Sequence, residues 1–214
     1  MRHGDRHLAG RALISKGMFT GYSGKTEEAE DLIRRGLDLL DRDRDPDLAV
    51  VAVHNLLYLM IERGGYREAR TLLFKHRPYC MAVGGKINKL KIKALDGRIA
   101  AGLGKLSQAE IIFREVSQSF RNEKLGYKAA LASLELALVL RQAGREEEVR
   151  QVVLEAADVF LRLGIHREAV AAMLVLRKAC EQGEATSALL RSAIQFLTKA
   201  EDNPDLVAED FLTP

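Results

Sequence analysis

The sequence predicts an all-α protein, and three observations lead to that class. Five glycines recur at intervals of 40, 40, 40 and 39 residues, namely Gly24, Gly64, Gly104, Gly144 and Gly183. A fixed period of this length marks one supersecondary unit copied in tandem, each copy burying its apolar face against its neighbours. Apolar residues between the glycines recur at helical intervals, and alternation of the strand type is absent. We therefore expect a right-handed α-solenoid of about five helix-turn-helix repeats with a period of about 40 residues.

A second series of turn signals divides each repeat in two. It consists of Gly4, the Asp45-Pro46 pair, Gly85, Gly126 and Gly164, which are 41, 40, 41 and 38 residues apart. Glycine after the last periodic residue supplies a left-handed helix stop, and Asp-Pro supplies a helix start. Two breaks in each repeat predict about ten helices, each running from one break to the next.

A similar short sequence begins at the glycine of each repeat and supports the predicted hairpin turns. In chain order these are GKTEEAE, GGYREAR, GKLSQAE, GREEEVR and GEATSAL. An alanine or valine stands five residues after each glycine, inside the second helix of the repeat. In the fourth repeat the three- and four-residue steps are clear on both sides of the turn, at Leu131, Leu134 and Leu138, and at Val152, Ala156 and Val159. These steps place the apolar residues on one face of each helix.

The composition suits a helical body with a continuous core. Apolar residues make up 47% of the chain and charged residues 29%, with only four prolines. No stretch approaches the roughly 18 apolar residues that a membrane span needs, and the N-terminus lacks the apolar core of a signal peptide. Cys80 and Cys180 are isolated, which suits a reducing compartment. We expect a cytoplasmic protein without membrane contact. Basic residues alternate with acidic ones, so we expect no contact with nucleic acid.

The repeats resemble tetratricopeptide repeats, in which a small residue recurs where the first helix crosses the second and an alanine packs in the second. With the alanines as register marks, the matching positions are Ala29, Ala69 and Ala109, with Gly17 and Gly97 as the small residues and Ile33, Leu73 and Phe113 as bulky partners. The stretch VHNLLYLMIERGGYREA is the most typical. The resemblance spans nearly the whole of residues 1–200 and implies a protein that binds other proteins.

Two repeats depart from that pattern. The fourth carries Val149 in place of the alanine and Ala137 in place of the glycine, and the fifth, around Ala188, matches weakly. The period is also about six residues longer than the usual unit of 34. Arrays with such long helices resemble those attached to bacterial signalling and transcription-regulatory proteins, so the resemblance implies a regulatory or scaffolding role.

In a curved stack of this kind the first helices line a concave groove. The groove residues by register are Arg11 and Tyr22, then His54, Asn55 and Tyr58, then Lys91 and Arg98, and finally Arg141. Ile14 belongs to the same register. The mixture of cations and apolar groups suits a protein or peptide partner with acidic and apolar side chains. Asn55 has a second interpretation, a bond within its own hairpin, and Leu134 and Leu138 fit the core better than the groove.

The sequence offers no catalytic constellation, and we expect a non-enzymatic protein without cofactor or metal. His3 and His7 are four residues apart, but no third ligand accompanies them. Gly24-Lys25-Thr26 follows a helix rather than a strand, so it is a hairpin turn and not part of a phosphate-binding loop.

The two ends of the chain carry further expectations. Gly4 has the phase of a break that follows a second helix, so the chain is part of a longer array, or exposes a face that a partner covers, or simply begins with an uncapped helix. Residues 201–214 are acidic and partly apolar without a basic residue, which predicts a tail that docks on a basic groove or packs on the last hairpin. The alternative to groove binding is therefore a structural subunit that self-associates or joins a larger complex through the ends of the stack.

Overall fold

A computed structural model describes residues 3–163 and 167–202, and within them the ten elements are all α-helices. The predicted all-α class is confirmed. The chain divides into two compact units, Met1–Leu103 and Gly104–Pro214. Unit 1 contains α1 (His3–Tyr22), α2 (Thr26–Leu39), α3 (Pro46–Glu62), α4 (Tyr66–Val83) and α5 (Lys86–Gly102). Unit 2 contains α6 (Leu106–Asn122), α7 (Gly126–Gln142), α8 (Glu146–Leu163), α9 (Arg167–Glu181) and α10 (Ser187–Asp202).

The five glycines of the first series end helices as the sequence predicts. Their φ angles are all positive, from +72° at Gly183 to +80° at Gly64. An L side chain disfavours this left-handed region, whereas glycine enters it at little cost. Each glycine lies in the short connection between two successive helices. The helix-stop role assigned to these five residues is confirmed.

The second series of breaks marks helix starts rather than left-handed stops. Asp45 occupies the N-cap position of α3 and Pro46 is the first residue of that helix, so Asp-Pro marks a helix start as predicted. Gly85 precedes α5 with a φ of −60°, and Gly126 is the first residue of α7. The left-handed residue in the α6–α7 turn is instead Lys124, with a φ of 60°. The prediction that Gly85 and Gly126 supply left-handed stops is therefore wrong, because a different residue or an extended backbone makes the turn.

Several predictions fall at or beyond the limits of the described residues. Gly4 lies within the first turn of α1, and Gly164 lies outside the described residues. The first two residues of the predicted tail, Glu201 and Asp202, belong to α10, and Glu201 forms an ion pair with Lys128 of α7. The remaining part of that tail, residues 203–214, lies outside the described residues.

In unit 1, α1 and α2 approach each other backbone to backbone. A Cβ atom added at Gly10 would lie 2.8 Å from the carbonyl oxygen of Gly36 and 2.8 Å from the amide nitrogen of Leu40. A Cβ atom at Gly17 would lie 2.7 Å from Cγ1 of Ile33. Gly17 therefore occupies a close helix crossing, as its assignment by register requires.

The register alanines lie in the core of their units. Ala29, Ala69 and Ala109 are fully buried, and the bulky partners Ile33, Leu73 and Phe113 are buried beside them in the core. Gly97 is buried in α5. In the fourth repeat, Val149 and Ala137 are buried in the same roles. Ala188 is exposed, so the register fails in the fifth repeat, where the sequence match was weakest.

Helix α3 is the centre of unit 1. It contacts α1, α2, α4 and α5, and its sequence PDLAVVAVHNLLYLMIE is apolar on most sides. Leu56 and Leu57 are both fully buried, although they point to different sides of the helix. The contacts of α3 with both α1 and α5 place these three helices side by side in unit 1. This arrangement positions most of the predicted groove residues.

Helix α7 is the centre of unit 2. It contacts α6 and α8, and also α10, which returns to it from beyond α9. The hydroxyl of Tyr127 donates a 2.6 Å hydrogen bond to the carbonyl oxygen of Leu197 in α10. The Tyr127 ring meets Phe160 of α8 edge to face, with the ring centres 4.8 Å apart. Unit 2 is thus closed by contacts between helices that are distant in sequence.

Across residues 3–163 and 167–202, none of the helices has both the length and the apolar character required to cross a bilayer.

Candidate functional site

The most organised group of predicted groove residues lies between α3 and α5 in unit 1. The guanidinium of Arg98 on α5 lies over the ring of Tyr58 on α3, 5.4 Å from its centre. Nη2 of the same arginine is 2.6 Å from Oε1 of Glu62, also on α3. The side chains of Arg98 and Glu62 are 21% and 25% exposed. A cation held by an aromatic face and a carboxylate keeps a fixed orientation at the surface. We call Tyr58, Glu62 and Arg98 the arginine cluster.

Three other predicted residues flank the arginine cluster. His54, Tyr58 and Glu62 are four residues apart along α3, so they lie on one face of the helix. Lys91 and Arg98 are seven residues apart along α5 and share a face in the same way. His54, Asn55 and Lys91 are all half-buried. The structure therefore places these side chains on two contacting helices of one unit.

The predicted residues of α1 divide into three kinds of environment. Arg11 forms an ion pair with Asp45, with Nε 3.4 Å from Oδ2. Tyr22 is 80% exposed. Ile14 is fully buried against α2, where a Cβ atom on Gly36 would lie 2.6 Å from its Cγ1. The expectation that Ile14 lines the groove is wrong, because the close α1–α2 crossing takes up that side of the helix.

Arg141 lies in unit 2, where its guanidinium forms an ion pair with Glu146 at the start of α8. The other residues predicted to bind a partner lie in unit 1, so no neighbouring candidate supports the predicted role of Arg141 in partner binding. Leu134 is fully buried and Leu138 is half-buried on the same helix. The interpretation of Leu134 as a core residue is confirmed.

A buried carboxylate in unit 1 was missed by sequence reasoning. Glu30 is only 3% exposed, and it accepts hydrogen bonds from Nε of Arg63 at 2.6 Å and from Nη2 of Arg34 at 3.1 Å. Arg63 also pairs with Glu68. These two carboxylates, Glu30 foremost, raise the pKa of Arg63. Because Glu30 lies on α2 and Arg63 in the α3–α4 turn, the network ties neighbouring hairpins together.

Unit 2 contains a similar network two helix pairs further along the chain. Glu110 of α6 accepts hydrogen bonds from Nη2 of Arg114 at 2.8 Å and from Nη1 of Arg145 at 2.6 Å. Arg114 and then Arg145 hold the pKa of Glu110 below its usual value. Arg145 also binds Glu148 through two nitrogens. We call this network, together with that of Glu30, the carboxylate clamps.

A signal for the carboxylate clamps was present in the sequence. In both cases the glutamate directly follows a register alanine, in the pairs Ala29-Glu30 and Ala109-Glu110. An arginine follows four residues later on the same helix face, where a Glu-to-Arg pair is favourable. Each glutamate has a second arginine partner in a later turn: Arg63 lies 33 residues after Glu30, and Arg145 lies 35 residues after Glu110. The clamps support the fold rather than a reaction, because all their charges are paired within the chain.

Three further titratable groups of unit 1 are buried, namely His7, His76 and Cys80. Nδ1 of His7 accepts a hydrogen bond from the amide of Asp41 at 3.3 Å. Burial, with Arg42 and Lys75, lowers the pKa of His76. Burial raises the pKa of the Cys80 thiol, which disfavours the nucleophilic thiolate. In the part of the chain that the structure describes, no three histidine, cysteine, aspartate or glutamate side chains come together as a metal site. The side chain of His3 lies outside that part.

The fold and surface together define an all-α protein built from helical hairpins, with an arginine cluster on adjoining helices. Comparison with known proteins assigns the chain no narrower class: no protein-family model matches it, and no curated protein gives a significant match.

Proposed function

We propose that the chain is a non-enzymatic protein-binding module that holds an acidic segment of another protein on the α3–α5 side of unit 1. The observation that carries this proposal is the arginine cluster. Tyr58 and Glu62 fix the guanidinium of Arg98 while a fifth of that side chain remains exposed. A preorganised arginine loses little further conformational entropy when it meets a carboxylate, which favours specific binding.

The surroundings of the arginine cluster favour a peptide rather than a small molecule. His54, Asn55 and Lys91 extend the polar surface along both helices over several turns. An amide such as Asn55 can donate to and accept from a peptide backbone. Lys91 adds a second positive charge on the same face of α5 as Arg98. The partner expected from this chemistry is a peptide segment with carboxylates next to apolar side chains.

The wider setting follows from the resemblance described above. In this proposal the hairpins are tetratricopeptide-like repeats that form a right-handed α-solenoid, and the module regulates or scaffolds a bacterial cytoplasmic signalling system. The buried register alanines, the left-handed turn glycines and the tight crossing at Gly17 support the repeat assignment. The buried, unpaired thiols of Cys80 and Cys180 suit a reducing compartment.

The test is a selection of random twelve-residue peptides on the immobilised full-length chain, followed by fluorescence anisotropy with the selected peptides. We expect enrichment of aspartate and glutamate beside apolar residues. Arg98→Glu should weaken binding of those peptides at least tenfold, because it replaces the orienting cation with a like charge. The matched control is Arg35→Glu on α2, which also removes an arginine paired with a carboxylate, Asp31, at 3.1 Å.

Arg35→Glu should change the dissociation constant less than threefold, because Arg35 lies outside the α3–α5 surface. Peptides without acidic enrichment would contradict the proposed partner chemistry. Equal losses in the two variants would show that the arginine cluster is not the binding site. Circular dichroism of both variants establishes that the helical content is retained.

A second candidate function, assembly through the end of the stack, is favoured by a different observation. Helix α1 exposes three large apolar side chains, Leu8, Phe19 and Tyr22, in unit 1. Several large apolar residues exposed on one helix are typical of an association surface. In this candidate, sedimentation velocity should show concentration-dependent association that Phe19→Glu abolishes. A monomer at every concentration would exclude self-assembly.

A further inference from the structure

The part of unit 1 that forms α4 and α5 is strongly basic. Residues 69–95 contain seven lysines and arginines and no acidic residue. The expectation of no contact with nucleic acid depended on basic residues that alternate with acidic ones, and this stretch does not show that alternation. A long run of one charge sign gives the surface a positive potential that attracts anions. The exposed sides of these two helices are therefore candidates for contact with an anionic partner.

The exposed side of α4 combines cations with one aromatic ring. Phe74 is 85% exposed, more than any other large apolar side chain among the described residues. At 100° per residue, the exposed residues within about 60° of Phe74 around the helix are Arg67, Arg70, Thr71, Arg77 and Pro78. We call these six residues the α4 face. A single exposed phenylalanine needs no explanation, but a ring surrounded by arginines is typical of a surface that binds nucleic acid.

The arginines of the α4 face are available to a partner. The guanidinium groups of Arg67 and Arg70 form no ion pair or hydrogen bond with any other described residue. Arg77 pairs with Asp96 of α5 at 3.0 Å, and its side chain remains 53% exposed. Glu68 lies about 120° from Phe74 around the helix and pairs with Arg63 in the α3–α4 turn. The α4 face therefore keeps a positive charge that the described residues do not neutralise.

The shape of the α4 face favours a flat ligand. An apolar side chain of a peptide gains most from a pocket that encloses it, whereas a base needs only the face of an aromatic ring. Phe74 stands among three arginines, a threonine and a proline, without the broad apolar stripe that a membrane-binding helix needs. Planar guanidinium groups match the oxygens of phosphates. Only an unpaired base can lie on the ring, so these features favour a single strand.

We propose that the α4 face binds single-stranded nucleic acid, with phosphates on its arginines and a base on Phe74. The ten helical steps from Arg67 to Arg77 span about 15 Å, which is roughly the length of four nucleotides in a stacked strand. Phosphate contacts and one stacked base carry little sequence information, so binding should tolerate different sequences and either sugar. This inference goes beyond the proposed protein binding and is independent of the arginine cluster, since both the residues and the ligand differ.

The first test measures fluorescence anisotropy of labelled probes with the full-length parent chain. A thymidine twelve-mer and a uridine twelve-mer distinguish DNA from RNA, and binding of either one supports the proposal. A duplex of the same length should bind at least fivefold more weakly, although it carries more phosphates, because its bases cannot stack on Phe74. Three phosphate contacts should make the logarithm of the dissociation constant rise with that of the salt concentration with a slope of about 2. Absence of binding by both single strands at low salt, or equal affinity for the duplex, overturns the proposal.

The second test removes the ring and one cation separately. Phe74→Ala should weaken binding at least fivefold, which is the lower end of the loss expected for one stacked base. Its matched control is Phe19→Ala on α1, because Phe19 is 74% exposed but has only one cation, Lys16, three or four positions away. Arg70→Gln should weaken binding at least threefold and lower the salt slope by about 0.7. Arg150→Gln on α8, which also removes an exposed arginine without an ion pair to a described residue, should change neither quantity.

Three results of the second test would contradict the proposal. Equal losses in Phe74→Ala and Phe19→Ala would show that no base stacks on Phe74. An unchanged salt slope in Arg70→Gln would show that this arginine contacts no phosphate. Displacement of the strand by an equal concentration of a glutamate twelve-mer would show that the α4 face binds any anionic chain. Circular dichroism establishes that each variant is folded, and the comparison of single strands with the duplex requires no variant.

Discussion

Replacing Gly10 with alanine should destabilise unit 1, although alanine is the better helix former. The added methyl group would lie 2.8 Å from the carbonyl oxygen of Gly36 and 2.8 Å from the amide of Leu40. Favourable contacts between nonbonded heavy atoms lie at about 3.5 to 4.0 Å. Both obstructing atoms belong to the backbone, so no side chain can rotate away and α1 must move off α2.

The magnitude follows from two opposing effects. Alanine gains about 1 kcal/mol over glycine in a helix interior. Overpacking a tight interface costs about 1 to 3 kcal/mol, and the backbone obstruction favours the upper part of that range. We expect Gly10→Ala to lower the free energy of unfolding by about 1 to 2 kcal/mol. Urea denaturation followed by circular dichroism measures this change, and hydrogen exchange of the α1 and α2 amides locates it.

Gly21→Ala is the matched control on the same helix. Its new methyl group would lie 3.3 Å from Cδ2 of Leu59, the end of a flexible side chain that can adjust. The helix propensity gain should therefore prevail, and this variant should be as stable as the parent chain or slightly more stable. If both substitutions shift stability in the same direction, or if Gly10→Ala has no effect, the backbone contact between α1 and α2 does not limit the packing.

Three further predictions concern the turns and two titratable groups. Gly144→Ala should destabilise the fold by about 1 kcal/mol, because an L side chain is strained at a φ of +74°. Lys124→Gly should stabilise the fold by about 0.5 kcal/mol, because it relieves the same strain at a φ of 60°. Urea titrations in which Gly144→Ala is the more stable variant would contradict the turn assignment. Arginine pairing lowers the pKa of Glu110, so its stabilisation is present above the unfolded-state pKa of about 4.3 and is lost as the pH falls through the lowered value. Glu110→Gln should therefore be less stable than the parent chain at neutral pH and should lose less stability on acidification below about pH 5. If the unfolding free energies of the two proteins depend on pH in the same way, this expectation is refuted. Burial lowers the pKa of His76, so protonation favours the unfolded state and stability falls below about pH 6.5; His76→Gln should lose less stability between about pH 7 and pH 5, as thermal melts would show.

Local backbone chemistry made part of the fold predictable from the sequence. The left-handed turns at Gly24, Gly64 and Gly144 follow from the conformational freedom of glycine, which depends little on distant residues. The same reasoning failed at Gly126, because a turn can also be made by a residue such as Lys124 at a small cost in strain. The spacing of the turn signals in the sequence located the break between α6 and α7. Which residue of that turn is left-handed depended on how the two helices meet.

The surface was harder to predict, because a charged side chain takes its role from whichever helix lies opposite. The register placed Arg98 and Tyr58 among the residues of one groove, and the structure brings them together with Glu62. The register could not show that Arg141 would pair with Glu146 in its own hairpin. Partner binding at these residues stays a prediction. The buried position of Glu30 was missed because a glutamate is rarely buried, and its burial depends on pairing with Arg34 and with Arg63 from a distant part of the chain.

The bond from Tyr127 to Leu197 has a consequence for the order in which the protein folds. It joins residues 70 positions apart, whereas the principal helix contacts of unit 1 join adjacent or next-but-one helices. Contacts between distant residues require a long loop to close, which slows folding. Helix α10 is also the last described helix to be synthesised, so the packing around α7 is incomplete until α10 has been translated. Unit 2 should therefore acquire its complete packing later than unit 1.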